Sequence, residues 1–312
     1  MSAAELRRAR IGDEPGLAAL WAQAFDAPIM LPQWSLDPDR HARTIVAVRD
    51  GEVVGSVYGL AQQLRAVGGA VHRVLGIADV AVAPSARGLG LARSMMDRIA
   101  ADALDDGVHW ALLFTGTPGV YRGAGYTRFS QRRLRRGTVA PSSPYARTPG
   151  VETEPVVTAD LAELGPMHEH VSARHPMSAL RSDLGWRRAR LWFEGADLVT
   201  ARAADGAILA YAIVRASAAD APASVLEAGW AGAGAGASAD LAAVLGRGLA
   251  RHSGAVVELA LPDAPEVSAA LHSVVPAAEW IPDETAMFRP LAVDPSGTCR
   301  HPDAFHWTGD YL

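Results

Sequence analysis

The stretch Val80-Ala81-Val82-Ala83-Pro84-Ser85-Ala86-Arg87-Gly88-Leu89-Gly90-Leu91-Ala92 constrains this chain more than any other, because it reads as strand, turn and helix in direct succession. Val80 and Val82 favour a pleated strand. Pro84 has no N–H to give a ladder and ends it. Gly88 and Gly90 then relax the backbone before a helix expected from Leu91 to Leu104. Such a turn sets unpaired N–H groups at the positive end of a helix dipole, and its glycines let a ligand approach the main chain closely. That is the chemistry of a pyrophosphate cradle. A Walker loop would carry a Lys after its second glycine, and a dinucleotide loop would read Gly-x-Gly-x-x-Gly. Neither is present; the spacing is Arg87-x-x-Gly90-x-Ala92.

Further along, the strand Trp110-Ala-Leu-Leu-Phe114 leads into Gly119-Val-Tyr121-Arg-Gly-Ala-Gly125-Tyr126. Together the two segments resemble the GNAT acyltransferases. In that family the acetyl-CoA loop reads Arg/Gln-x-x-Gly-x-Gly/Ala after a Val-x-Val-x-Pro strand, and Tyr-x-x-x-Gly-Phe/Tyr follows. The resemblance implies that the edge of Val80, Ala81 and Val82 pairs with the pantetheine arm. It also implies that Arg87, Gly88, Leu89, Gly90, Leu91 and Ala92 hold the pyrophosphate, and that Tyr121 is the general acid to the departing thiolate. Some members use an acid on the fourth strand as base, which points to Asp79; a strand-edge Asp satisfied by local hydrogen bonds is the alternative reading. The loop from Asp26 to Pro38 falls where the family places part of its acceptor site, which nominates Asp26 and Trp34, although Trp34 serves equally well as an anchor on the core.

Composition narrows the chemistry further. The 312 residues suffice for two domains with a core each. All 29 basic residues are Arg, and neither Lys nor Asn occurs, which we read first as the imprint of a GC-rich genome. The lack of Lys excludes a Schiff base and a P-loop Lys, and the lack of Asn excludes N-glycosylation. The single Cys299 excludes an internal disulfide and any multi-Cys zinc site, and His168 and His170, two apart, do not share a helix face, so no metal is expected. No signal peptide or apolar run of bilayer length is visible. The expected address is the cytoplasm, with no membrane partner.

The net charge of −5 is unevenly spread. Residues 1–150 hold 18 Arg against 13 acids, and residues 151–312 hold 11 Arg against 21 acids. A basic first half suits a polyphosphorylated ligand, and an acidic second half could steer a cationic amine; drifted charge on solvated faces is the plainer reading.

In chain order, residues 5–11 suggest a first strand, and Asp13 with Pro15 starts a helix whose apolar face includes Leu17, Leu20, Trp21 and Phe25. Ile45–Val48 and Val53–Leu60 form a hairpin about Asp50-Gly51, followed by a third strand ending near Leu64, with Arg73–Val82 the fourth. The basic run Gln131–Arg136 alternates about Leu134 and fits a last strand with exposed Arg. Net acidity argues against a nucleic-acid partner. The Pro/Ser/Gly-rich segment that follows marks a boundary, giving domains at 1–138 and 156–293, a linker at 139–155 and a tail at 294–312.

The second half repeats the outline: helices at Asp160–His175 and Ser182–Leu191, strands at Asp197–Ala203, Ala207–Val214 and Val225–Trp230, a helix at Asp240–His252 and a strand at Val256–Leu261. Where a cradle would stand, Ala231–Asp240 is a Gly/Ala tract without the cradle's Arg, so it reads as a degenerate loop or a linker. The expected fold class is therefore α/β with α+β mixed sheets, two GNAT-like domains in tandem, the first CoA-competent and the second degenerate. This layout resembles the Eis family, with local matches at Gly119–Tyr126, Trp186-Arg-Arg-Ala-Arg-Leu191 and Asp205-Gly…Ala210-Tyr211-Ala. Eis proteins continue into a sterol-carrier-like domain whose terminal carboxylate reaches the active site, whereas this sequence runs into an aromatic tail ending at Leu312. The departure leaves homo-oligomerisation open. The tail is expected either to bring Asp310 or the Leu312 carboxylate to the acceptor, or to pack as a plug on the second domain.

The function these readings imply is an acyl-CoA dependent N-acyltransferase, using acetyl-CoA as cosubstrate and a small amine as acceptor. The alternatives are a GNAT fold turned to decarboxylation, O-acylation or cyclisation, and a non-catalytic CoA-binding module.

Overall fold

The structure is a computed structural model that describes residues 3–25, 30–141, 145 and 148–311, and it divides into two compact units. The first takes the chain up to Ser130 together with Glu284–Arg300; the second takes Gln131–Asp283 with His301–Tyr311.

The first unit runs β1 (Glu5–Arg8), α1 (Glu14–Ala24), α2 (Met30–Ser35), β2 (Thr44–Arg49), β3 (Glu52–Arg65), β4 (Val71–Val82), α3 (Leu91–Asp105), β5 (Trp110–Phe114), α4 (Gly119–Arg122) and β6 (Thr127–Arg128). The second begins with β7 (Gln131–Thr138), β8 (Val151–Pro155), α5 (Gly165–Ser172), α6 (Asp183–Trp192), β9 (Ala196–Arg202) and β10 (Ile208–Arg215). It continues with β11 (Ala223–Trp230), α7 (Gly234–Leu249), β12 (Val256–Leu259), α8 (Pro265–Val274) and β13 (Glu279–Asp283). The strand β14 (Ala286–Pro290) and the short helix α9 (Ser296–Cys299) return to the first unit. Sheet order is β1-β2-β3-β4-β5-β14-β6 in the first unit and β13-β7-β12-β11-β10-β9-β8 in the second.

Several expectations change here. The strand Gln131–Thr138, read as the first domain's last, pairs with β12 and β13 of the second sheet, while β14 fills the corresponding place beside β5. The stretch 139–155, read as linker, holds β8, paired to β9. The strand after the first hairpin is continuous over Glu52–Arg65. The helix expected over Asp160–His175 is a 3-10 turn at Leu161–Leu164 followed by α5. The helix expected from Asp240 already begins at Gly234, inside the Gly/Ala tract.

Two features of the first sheet position the site. The parallel pairing of β4 with β5 covers only Val74–Gly76 against Trp110–Leu112, so β4 runs on to Val82 without β5 beside it. Near the point of divergence the β3–β4 register slips, and Asp79 sits at φ 53°, a bulge that re-aims the strand. The bulge is pinned from beneath: the Trp21 indole donates to Ser56 Oγ at 2.9 Å, and Ser56 Oγ donates to the Asp79 carbonyl at 2.8 Å. On one face α3 buries Met95, Met96, Ile99 and Ala103, at about 2 kcal/mol for each large side chain. On the other, Leu17, Leu20, Trp21 and Trp34 pack with Val46, Tyr58 and Ala81.

The tail belongs to the second unit. Phe305 and Trp307 are buried in one core with Val225, Leu245 and Leu259. The Trp307 indole donates to Ser172 Oγ at 2.9 Å, and the Phe305 amide to the Pro176 carbonyl at 2.8 Å. The buried Arg181 guanidinium grips Glu227 through both terminal nitrogens, at 2.9 and 2.6 Å, and meets Asp310 through Nε at 2.6 Å. Tyr211 also donates to Glu227, at 2.8 Å. Burial alone would raise the Glu227 carboxyl, but Arg181 and then His168 outweigh it and hold it far below the usual carboxylate range. Of the two expectations for the tail, the plug on the second domain is what the described residues form.

Candidate active site

After Val82 the chain turns through Pro84–Ala86, and Arg87 is extended at φ −68°, ψ 154°. Gly88 and Gly90 follow in the left-handed region at φ 79° and 73°. Gly90 is the N-cap of α3. A β-carbon at either glycine would meet no atom within 4 Å, so the glycines serve backbone conformation, and the space above them is open. By helix geometry the first amides of α3 have no intrahelical acceptor, and here they point with the positive end of the dipole into that space. Arg87 and Arg93 are exposed on the rim, so the cationic and dipolar contributions have the same sign.

The cradle opens into a cleft of about 620 Å³ between the free stretch of β4 and α4. Val80, Ala81, Val82, Arg87, Gly88, Gly90, Leu91, Ala92 and Tyr121 all line it. Leu89 does not; its side chain is exposed. Tyr121 sits in the one-turn helix α4, edge-on to Tyr126 at 6.3 Å between ring centroids. Burial raises its hydroxyl above the ordinary tyrosine value, and a hydrogen bond with the Thr115 side chain opposes this only in part. The phenol is therefore protonated at neutral pH and able to donate. Tyr126, deeper, is pushed up further by the same cause.

The remaining nominated residues lie elsewhere. Asp79 is half-buried in the β4 bulge, next to Val80, and does not line the cleft. Trp34 is 1% exposed and donates its indole N–H to Thr44 Oγ1 at 2.9 Å, so it is the core anchor and offers no surface to an acceptor. Asp310 lies in the second unit against Arg181. Asp26 and Leu312 fall outside the described residues. Sequence reading missed Phe25, Arg93, Thr117 and Val120 as lining residues. Arg93 could have been nominated as a cation one helical position beyond the cradle. Among the described residues, no group of His, Cys, Asp and Glu is arranged to hold a metal ion, and no helix is long and apolar enough to cross a membrane.

Residues 5–129, which contain every element of this cleft, match the family model of the acetyltransferase (GNAT) domain. By that match the first unit is similar to GNAT acetyltransferase domains. An uncharacterised N-acetyltransferase of Streptomyces griseus is 29% identical over 188 residues, which cover 56% of this chain and 45% of that protein, so the chain spans less than half of that relative's length. Among solved structures, Eis1 of Mycobacterium abscessus superposes with a TM-score of 0.64 at 19% identity, covering 92% of this chain and 73% of the other. A probable N-acyltransferase of Enterococcus faecalis gives 0.70 at 14% identity over 95% and 74%. A GCN5-related N-acetyltransferase of Anabaena variabilis gives 0.70 at 17% over 92% and 73%. At these identities the likeness is one of fold, and it extends over both units: the chain is two GNAT-like domains in tandem.

Proposed function

We propose that the first unit transfers an acyl group, acetyl in the first instance, from coenzyme A to a small amine. The observation that carries this reading is the convergence in one cleft of the cradle at the α3 N-terminus, the stretch of β4 that β5 leaves uncovered, and a protonated tyrosine. The first-turn amides of α3, with Arg87 and Arg93 on the rim, suit the pyrophosphate. The uncovered edge of β4 supplies main-chain groups for the amide-bearing arm and a donor for the thioester oxygen as charge develops there.

The amine lone pair attacks the thioester carbonyl carbon. The C–N bond forms, the C–S bond breaks, the departing thiolate takes the Tyr121 hydroxyl proton, and the proton that the acylated nitrogen sheds passes to solvent, from which Tyr121 is reprotonated. Holding both reactants in one cleft replaces a bimolecular encounter with an oriented one. The test is release of free coenzyme A from acetyl-CoA on mixing with a panel of aminoglycosides, polyamines, lysine and amino sugars. Amine-dependent thiol release is expected. Thermal stabilisation by coenzyme A with no turnover on any amine would instead favour a binding module.

A further inference from the structure

Each turnover takes the proton from Tyr121, and the hydroxyls beside it offer a way to give it back. β5 ends at Phe114, and the amide of the next residue, Thr115, donates to the Thr285 carbonyl at 2.8 Å. Thr115 Oγ1 accepts the Thr117 N–H at 3.0 Å, a side-chain turn that leads the chain into α4. The Thr117 carbonyl then accepts the Val120 N–H, and the Pro118 carbonyl accepts the Tyr121 N–H, each at 3.2 Å. One hydroxyl, that of Thr115, thus fixes the loop that carries Tyr121 and also hydrogen-bonds its phenol.

The proton count gives this line of hydroxyls a direction. A threonine hydroxyl has one proton and two lone pairs. On Thr115 one lone pair is taken by the Thr117 N–H. That leaves the other lone pair and the proton for the Thr117 hydroxyl, at 3.2 Å, and the Tyr121 hydroxyl. When Tyr121 aims its proton into the cleft, its oxygen accepts from Thr115, and Thr115 in turn accepts from Thr117. The far end of the line meets water: Thr117 is exposed and lines the cleft, whereas Thr115 does not line it. Tyr126, the phenol packed edge-on against Tyr121, is no part of the line, because its hydroxyl is buried without a hydrogen-bond partner.

We propose, on the reading that Tyr121 is the acid of acyl transfer, that Thr115 and Thr117 aim its proton at the sulfur and return it afterwards. As the thiolate takes the phenol proton, the Thr115 proton moves to the phenolate oxygen, the Thr117 proton moves to Thr115, and Thr117 takes a proton from water. Each O–H bond broken along the line is matched by one formed. Thr115 acts through Tyr121 and is therefore a positioning residue.

Four variants of the full chain test it: Thr115→Val, Thr115→Ser, Thr117→Val and Tyr121→Phe, assayed by thiol release from acetyl-CoA with an amine that the wild type turns over. Both valine variants should lower kcat by roughly tenfold, the worth of one hydrogen bond to the reacting group, with KM for acetyl-CoA unchanged. Thr115→Ser keeps the hydroxyl and should restore kcat. Added to Tyr121→Phe, neither valine should lower kcat further, because the line then serves no phenol. Ultraviolet titration of the phenols, with Tyr121 isolated as the difference from Tyr121→Phe, needs no amine. Its midpoint should rise by about one pH unit in Thr115→Val and return in Thr115→Ser, since a phenolate that has lost a donor is harder to form. An unchanged midpoint in Thr115→Val, an unchanged kcat in Thr117→Val, or valine effects that persist in full on Tyr121→Phe would each overturn the line and leave Tyr121 as the acid. An unchanged kcat in Tyr121→Phe, or no turnover on any amine, would overturn the acid and the line with it.

Discussion

In the first unit the chain leaves β4, passes two glycines at φ 79° and 73°, and enters α3 beneath Arg87 and Arg93; in the second it leaves β11, passes two glycines at φ 70° and 76°, and enters α7 beneath Glu266. The backbone is the same device twice, and the side chains decide what it can hold. An anion in the first cradle meets amides, a dipole and two guanidinium groups. In the second it would meet a carboxylate already seated on the amide. The space beneath also differs. The first cradle opens toward Tyr121, whereas the second unit buries Phe305 and Trp307 in its core and holds Arg181, Glu227 and Asp310 in a buried cluster. A cradle is thus separable into a backbone that local sequence dictates and a charge that distant residues supply.

The comparison can be broken most severely in the second unit's buried cluster. Asp310→Ala leaves Arg181 with one fewer anion in a site where its side chain is 2% exposed, and it loosens the tail that Phe305 and Trp307 anchor. Removing one partner of a buried pair costs about 3–5 kcal/mol. For a unit of this size that is a fall in melting temperature of roughly 6–20 °C. Affinity for coenzyme A should be retained, since the cradle lies in the first unit. Loss of turnover at an unchanged melting temperature would instead restore Asp310 as the acceptor's base.

The same cluster sets an acid limit. The Glu227 carboxyl titrates lower folded than unfolded, so its contribution is present above the unfolded carboxylate value of about 4.3 and is lost as pH falls from there toward the folded value. Burial also lowers the His306 imidazole, which adds a loss with the same sign beginning near pH ~6.5. Melting followed from pH 7 to pH 3 should show falling stability, and Glu227→Gln should flatten the lower part of the curve.

In the first cradle, Gly90→Asp should abolish coenzyme A binding. The glycine is left-handed and faces the open space where a ligand must approach, and a carboxylate there would repel phosphate. Gly234→Asp, the matching change in the second cradle, should leave coenzyme A affinity untouched. Calorimetry on the pair decides whether the binding site is assigned to the right unit.

Tyr121→Phe should lower kcat by roughly 10²-fold with little change in KM for acetyl-CoA, the signature of a group that acts only as the thiolate leaves. A retained kcat would mean that the ring merely packs in the cleft and that water protonates the thiolate.

What the sequence made legible follows the same division. Pro84, Gly88 and Gly90 act on their own backbone, so strand end, turn and helix start could be read from a dozen residues. The second cradle was hidden because its recognition rested on an Arg, although its glycines hold the same angles. Glu266 comes from another helix, and no local pattern points to it. The exchange of β7 and β14 was hidden for a related reason. Alternation about Leu134 specifies a strand, but the choice of β12 and β13 as partners rests on non-local contacts such as Arg135 with Asp263 and its stacking 3.9 Å over the Trp280 ring. Trp34 shows the limit at a single residue: an aromatic in a loop suits a binding site or an anchor, and only the hydrogen bond to Thr44 decides.

The mildest change carries the first cradle one step toward the second. Arg87→Ala gives it the residue found at position 231, while the glycines, the helix dipole and Arg93 stay in place. The guanidinium is exposed, and its recorded bond, to the Val82 carbonyl at 3.4 Å, is long, so it gives the fold little and is available to a phosphate. A charge contact at such an exposed place contributes on the order of 1 kcal/mol and is screened by salt. The dissociation constant for coenzyme A should therefore rise by roughly three- to tenfold at low ionic strength, and the difference from wild type should shrink as salt is added. If the variant loses binding altogether, the backbone amides are not the main hold on the pyrophosphate, and the two cradles differ by far more than the charge on their rims. If binding is unchanged at every ionic strength, Arg87 is a bystander. In that case only the seated carboxylate of Glu266 separates a cradle that takes phosphate from one that does not.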